Sequence, residues 1–257
     1  MILFMLNKAF WDAWDNMGRL LLINFVMILL LAIPVFLPKT LIQIPVLSVL
    51  SLVSSILLIF VYIGAVSAYV RDLVHYKSPE LKDIIGHLQE SWKKSLILGA
   101  GALFFYFICF TGFQFYSALG NIMGLIGMAF LFWISVIVSI AILFFFPVMN
   151  NLDKNMIKIL KKSFILFFDN TGTALVLFLA IIVNTILSFA LAFILPGIGG
   201  ILILQESCMK LLIFKYDYLE ENPDADRKKI PWNALIREER EKVGTRTLKG
   251  TIFPWKD

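Results

Sequence analysis

Residues 20–38, 40–70, 95–152 and 170–205 contain no Asp, Glu, Lys or Arg, although the 257-residue chain has 23 basic and 18 acidic side chains. An apolar helix needs about 20 residues to cross a hydrocarbon core of ~30 Å at ~1.5 Å per residue. The four charge-free stretches therefore hold one, one, two and two spans, six in all. They are placed at residues 20–37, 44–68, 95–113, 124–148, 173–195 and 197–214. Composition supports lipid as the solvent: the chain is 60% hydrophobic and 16% charged, against about 45–50% and about 25% in soluble domains. The expected fold is an all-α integral membrane protein. Pro196-Gly197-Ile198-Gly199-Gly200 opens the last span, so spans five and six form a tight hairpin or the sixth is partly re-entrant.

Orientation follows from Lys and Arg, which are enriched in cytoplasmic flanks. Alternate flanks hold 2, 5, 4 and 11 of them, and the opposite side has only Lys39. Both ends are therefore expected in the cytoplasm, in a cytoplasmic (cell inner) membrane. The first apolar stretch lacks a small-x-small cleavage pattern and follows Trp11, Asp12, Trp14 and Asp15, so it is expected to be a retained span rather than a signal peptide.

Each cytoplasmic segment leading into an odd-numbered span is expected to form an amphipathic interfacial helix, near residues 4–17, 80–93 and 152–168. Leu81, Ile84, Ile85, Leu88 and Trp92 share one helical face after the start signal Ser78-Pro79-Glu80. Leu152, Met156, Ile159, Leu160, Ser163 and Phe167 repeat the pattern, with Lys154, Lys158, Lys161 and Lys162 opposite. Basic helices of this kind are drawn to anionic lipid head groups. Phe10, Trp11, Trp14 and Met17 supply aromatic anchors to the first copy.

Two copies also agree in sequence. Residues 8–18 (KAFWDAWDNMG) and 162–172 (KSFILFFDNTG) match at five of eleven positions. The reading is three repeats of an interfacial helix plus a transmembrane hairpin, with the middle copy diverged. In Asp15-Asn16-Met17-Gly18 and Asp169-Asn170-Thr171-Gly172, Asn and Gly tolerate left-handed backbone and Asp or Asn caps a following helix. The motif is thus expected to be a structural junction, with contact to a head group or partner as the other reading of Asp15, Asn16, Gly18, Asp169, Asn170 and Gly172.

No catalytic constellation emerges. His75 and His87 are twelve apart and pair with no Cys, so they read as solvated side chains. Cys109 and Cys208 read as apolar filler. No cofactor, metal or nucleic-acid partner is expected. With the spans treated as charge-free, the intramembrane polar groups are Asn24, Thr111, Asn184, Thr185 and several serines. Such groups more often tie helices together than bind substrate. Charge-free spans also weigh against an ion-driven transporter. Gly120-x-x-x-Gly124 and Gly99-Ala100-Gly101 are weak close-packing signals.

The chain divides into a membrane domain, residues 1–215, and a cytoplasmic tail, 216–257. In the tail Pro231-Trp232 opens a helix expected over 231–243 and closed by Gly244. Its apolar stripe includes Trp232, Leu235 and Ile236, and a second Pro-Trp ends in Trp255. These aromatics need a surface: the same chain, a partner protein or the bilayer.

Residues 62–73 (YIGAVSAYVRDL), 79–86 (PELKDIIG), 92–96 (WKKSL), 146–151 (FPVMNN) and 162–172 together resemble the YesL-like family of bacterial membrane proteins. The likeness covers about residues 8–215, and the long tail departs from it. It implies a cytoplasmic-membrane protein without an assigned activity, thought of alongside carbohydrate uptake systems, and it identifies no substrate or functional residue. The expected function is a non-enzymatic scaffold or accessory subunit acting from the cytoplasmic face. The alternative is a transporter or lipid-handling protein with a polar path lined by Asn24, Thr111 and Asn184. A membrane enzyme would have to rely on His75, His87 and Asp83.

Overall fold

The computed structural model describes residues 1–227, 229–244 and 246, and these contain helices and connecting turns but no strand. The helices are α1 (Ile2–Asp15), α2 (Met17–Thr40), α3 (Pro45–Val74), α4 (Asp83–Ala118), α5 (Ile122–Ile142) and α6 (Phe145–Asn151). They continue with α7 (Met156–Asp169), α8 (Thr171–Ala190), α9 (Gly197–Glu221), α10 (Trp232–Leu235) and α11 (Arg237–Val243). Six segments are long and apolar enough to cross a membrane: α2, α3, α4, α5 with α6, α8 and α9. This is a multi-pass membrane protein in contact with the lipid bilayer.

Local chemistry sets the boundaries. Pro45 opens α3, where its missing N–H costs nothing. Asn121 starts α5 by accepting from the Gly124 N–H, and Asn155 starts α7 by accepting from Ile157 and Lys158. The break between α5 and α6 falls at Leu143 and Phe144. Pro147 cannot donate to the Leu143 carbonyl four residues back, so the ladder is interrupted there.

The least apolar of the six segments is the most enclosed. The span of α9 is 72% buried, against 28% or less in the other five. Helices α1, α2, α3, α6 and α8 all pack on α9. Lipid can solvate Leu and Phe on the outer helices, but Glu206 and Lys210 need protein partners. Three glycines let α9 approach its neighbours. Gly197 has φ +59°, and a Cβ at Gly199 or Gly200 would lie 2.8 Å from Leu20 or 2.7 Å from Asn184. The turn before α9 meets α2 at Asn24, early in that helix, rather than at its far end.

Several expectations are corrected. The second interfacial helix does not exist as a separate element, because α4 runs unbroken from Asp83 to Ala118. Residues 80–93 contain no strong breaker between the amphipathic stretch and the span. Helix α1 buries the charged pair Lys8 and Asp12 against the protein while Leu3, Phe10 and Trp14 face outward. The first copy therefore does not simply direct charge to water. The tail helix is broken at Ile236 into α10 and α11, and α9 takes up residues 216–221.

Candidate functional site

The sixth span, placed at residues 197–214, contains Glu206 and Lys210, so the spans are not charge-free as expected. Both side chains are buried, and each organises a polar cluster. Glu206 of α9 faces α3 and α6. Its Oε1 accepts from Asn150 at 2.6 Å and Ser67 at 3.2 Å, and its Oε2 accepts from Asn151 at 2.9 Å. Asn150 also donates to the Ser67 hydroxyl, and Arg71 donates to the Asn150 carbonyl. Three neutral donors thus hold the carboxylate, and no cation bonds to it within ion-pair distance among the described residues. On the same helix the Gln205 Oε1 and Ser207 Oγ are buried without a hydrogen-bond partner among the described residues.

One turn further along, Lys210 meets Lys8 of α1 and Glu239 of α11. Lys210 Nζ lies 2.9 Å from Glu239 Oε1, and Lys8 Nζ lies 3.3 Å from Glu239 Oε2. Lys8 also pairs with Asp12 at 2.8 Å, and both lysines donate to the Val74 carbonyl that ends α3. Tyr76 completes the cluster. Its hydroxyl accepts from Lys8 at 2.9 Å and donates to Glu239 Oε2 at 3.1 Å. Lys8, Lys210 and Lys242 stand 4.2, 4.6 and 5.2 Å from its ring centre, within cation–π range.

Burial and charge tune these groups in opposite directions. Burial raises the Asp12 carboxyl above its ordinary range by more than Lys8 lowers it. Burial would also raise Glu239, but the hydrogen bond and charge of Lys210, with Lys8, outweigh it and hold Glu239 low. The Tyr76 phenol is pushed up, first by burial and then by Asp12 and Glu239. His75 is pushed down to about 4, first by burial and then by Lys210, Lys77 and Arg71.

The two Asp-Asn-x-Gly junctions share one geometry. Asn16 donates to the Asp12 carbonyl at 2.9 Å, and Asn170 donates to the Leu166 carbonyl at 3.1 Å. Each asparagine thus closes the helix before it and makes no side-chain cap to the helix after it. The backbone is not left-handed: φ is −111° at Asn16 and −131° at Asn170. Gly18 and Gly172 lie inside the first turns of α2 and α8. Both aspartates contact basic groups that follow in sequence. Asp15 takes both carboxylate oxygens to Arg246, and Asp169 meets Lys215, Tyr216 and Arg227. The Tyr216 hydrogen bond is the chief influence lowering Asp169.

No family model, no characterised protein and no solved structure matches this chain.

Of the three residues of the expected polar path, Asn24 and Asn184 meet at the start of α9 and Thr111 lies apart. Asn24 is fully buried, donates to the Ile194 and Pro196 carbonyls at 2.9 Å, and accepts from the Gly199 N–H at 2.9 Å. It ties down the turn before α9. Asn184 packs against Gly200 on the same turn. A cavity of about 140 Å³ lies beside Asn24, Thr185 and Ser188. Thr111 is elsewhere, bonding its own helix at Phe107 and Ile108 on an exposed face. His87 lies 3.4 Å from Asp72, while Asp83 accepts from the Glu80 N–H, so the histidines and Asp83 make no shared site.

In the tail Ile236, Glu239 and Val243 are buried, Trp232 packs on the core and Leu235 is half-buried. The tail docks on its own chain through these residues, one of the three surfaces left open by the sequence. Trp255 lies outside the described residues. Sequence reasoning missed Lys8, Tyr76, Glu206, Lys210 and Glu239. The available signal was Glu206 and Lys210, four residues apart inside an apolar segment, where ionisable groups point to function.

Proposed function

We propose that this protein is a non-enzymatic scaffold or accessory subunit of a bacterial cytoplasmic membrane, with both ends in the cytoplasm and its working surface at the basic end. The 22 Lys and Arg residues outside the loop of Lys39 support the orientation. The resemblance to the YesL-like family agrees with the compartment. Contacts of α2 with α3, α4 with α5 and α8 with α9 suit a hairpin repeat.

The observation that carries the reading is the docked tail. Glu239 joins α11 to α1 and α9, while Asp15–Arg246 and Asp169–Arg227 tie the tail to the ends of α1 and α7. Tail and membrane helices thus share one composite surface suited to a protein partner. Two measurements test this. With Thr40→Cys and Asp224→Cys introduced separately, an impermeant maleimide added outside intact cells labels position 40 alone. Photo-crosslinking from Lys82, Lys154 and Arg237 in native membranes captures a stoichiometric partner. Labelling of position 224 overturns the orientation, and no stoichiometric partner overturns the scaffold reading.

One observation favours transport as a second reading. Glu206 is a buried carboxylate held by amides rather than by a cation, the type of group that couples ion movement in membranes. Solute or proton flux in proteoliposomes that Glu206→Gln abolishes supports transport over scaffolding.

A further inference from the structure

We propose that Lys8, Lys210 and Tyr76 form a binding site for a phosphate-bearing anion, supplied by an anionic lipid head group, and that the tail carboxylate of Glu239 occupies it in this state. Three donors from three separate parts of the chain converge on one anionic group: Lys210 at 2.9 Å, the Tyr76 hydroxyl at 3.1 Å and Lys8 at 3.3 Å. Lys8 is completely buried and Lys210 nearly so. Without the tail, Asp12 pairs with Lys8 but no carboxylate pairs with Lys210 among the described residues. Without the tail this buried ammonium keeps the Val74 carbonyl, the face of Tyr76 and the nearby Asp12 charge, but it also stands beside Lys8, and two ammonium groups sharing one acid favour an added anion. A phosphate diester presents oxygens to all three donors, and lysine binds phosphate as a point charge.

The surroundings indicate where the phosphate comes from. A groove of about 330 Å³ runs beside the cluster between the tail and the membrane domain; its tail wall, Lys242, Val243 and Arg246, leaves with Glu239, and Trp11, Asp12, Asp15 and Tyr76 remain. Asp12 is paired with Lys8 of its own helix, whereas the Arg246 partner of Asp15 belongs to the tail. Phe10 and Trp14 project outward from the adjoining helix α1, and aromatic rings of this kind sit at head-group level. The occupant in place belongs to a small element. It is carried by the seven-residue α11, which buries only Glu239 and Val243, with Ile236 at its start. The site differs from general attraction along basic helices because it is buried, has defined ligands and competes with the tail. It depends on neither the scaffold nor the transport reading.

The test uses the full chain reconstituted in phosphatidylcholine nanodiscs, with trypsin cleavage at Arg237 and Arg240 reporting tail release. Short-chain phosphatidylglycerol is expected to speed cleavage at least tenfold, while phosphatidylcholine of the same chain length does not. Because each substitution loosens the tail by itself, probe binding to the variants is read directly by tryptophan fluorescence: Glu239→Gln is expected to bind at least tenfold more tightly, and Lys210→Gln and Lys8→Gln to lose binding. Circular dichroism and size exclusion establish that each variant folds. Inorganic phosphate is the second arm: an equal response at equal concentration keeps the phosphate site and overturns the lipid source. No response to either probe, in wild type and in Glu239→Gln alike, overturns the proposal. So does binding that survives both lysine substitutions.

Discussion

Glu239 of the tail stands 2.9 Å from Lys210 in the innermost helix and 3.3 Å from Lys8 in the first helix, joining three distant parts of the sequence through one carboxylate. Removing one partner of a buried ion pair leaves an uncompensated charge, at about 3–5 kcal/mol. Glu239→Ala is therefore expected to undock α11, raising amide hydrogen exchange of residues 236–243 to that of the linker before it. The neighbouring Glu238 is exposed, so Glu238→Ala should leave exchange unchanged. Equal protection in the two variants would show that apolar packing alone holds the tail.

His75, pushed down to about 4, gives the fold an acid sensitivity. Between about pH 6.5 and the folded value, the unfolded chain holds this proton and the folded chain does not. Stability therefore rises with pH across that window and is lost as pH falls through it, by up to ~3 kcal/mol. Thermal unfolding in detergent at pH 7, 5.5 and 4 should show a shallower acid loss for His75→Gln than for wild type. Identical pH dependence would remove His75 from this role.

Asn24 and Thr111 are both polar residues of apolar helices, yet they should behave differently. Asn24→Ala removes three hydrogen bonds and orphans the Gly199 N–H and the Ile194 carbonyl, while the Pro196 carbonyl keeps the Gly200 N–H. At ~1–3 kcal/mol for each buried group left unsatisfied, a loss of several kcal/mol is expected in unfolding experiments. Thr111 bonds only its own helix on an exposed face, so Thr111→Val should stay within about 0.5 kcal/mol.

Glycines of α4 and α9 offer a matched test of close packing. Gly199→Ala would drive a methyl to 2.8 Å from Leu20, and Gly200→Ala to 2.7 Å from both Asn184 and Pro196. Each should cost about 1–3 kcal/mol by overpacking. Gly101 has open space, so Gly101→Ala should be neutral or stabilise α4 by up to about 1 kcal/mol. Melting temperatures of the three variants decide the matter.

The junction motif shows how local sequence becomes partly legible. Asp15-Asn16 and Asp169-Asn170 mark helix breaks because Asn competes well for nearby backbone groups. Which helix the asparagine would serve was misread: its amide bonds backward to Asp12 and Leu166, so it ends one helix rather than starting the next. The second amphipathic stretch misled for a related reason. A helical face at residues 81–92 is the same whether the helix stops at the membrane or continues into it, and here it continues.

By itself the sequence determined the solvent and the segments. Long charge-free apolar runs have no stable fold in water, and in lipid they satisfy their backbone internally as helices, so six membrane-length helices follow from local composition. Only tertiary structure decided which helix lies innermost and what becomes of its charges. The desolvation cost of Glu206 and Lys210 is met by side chains from as far away as Ser67, Asn150 and Glu239, so no local pattern encodes it.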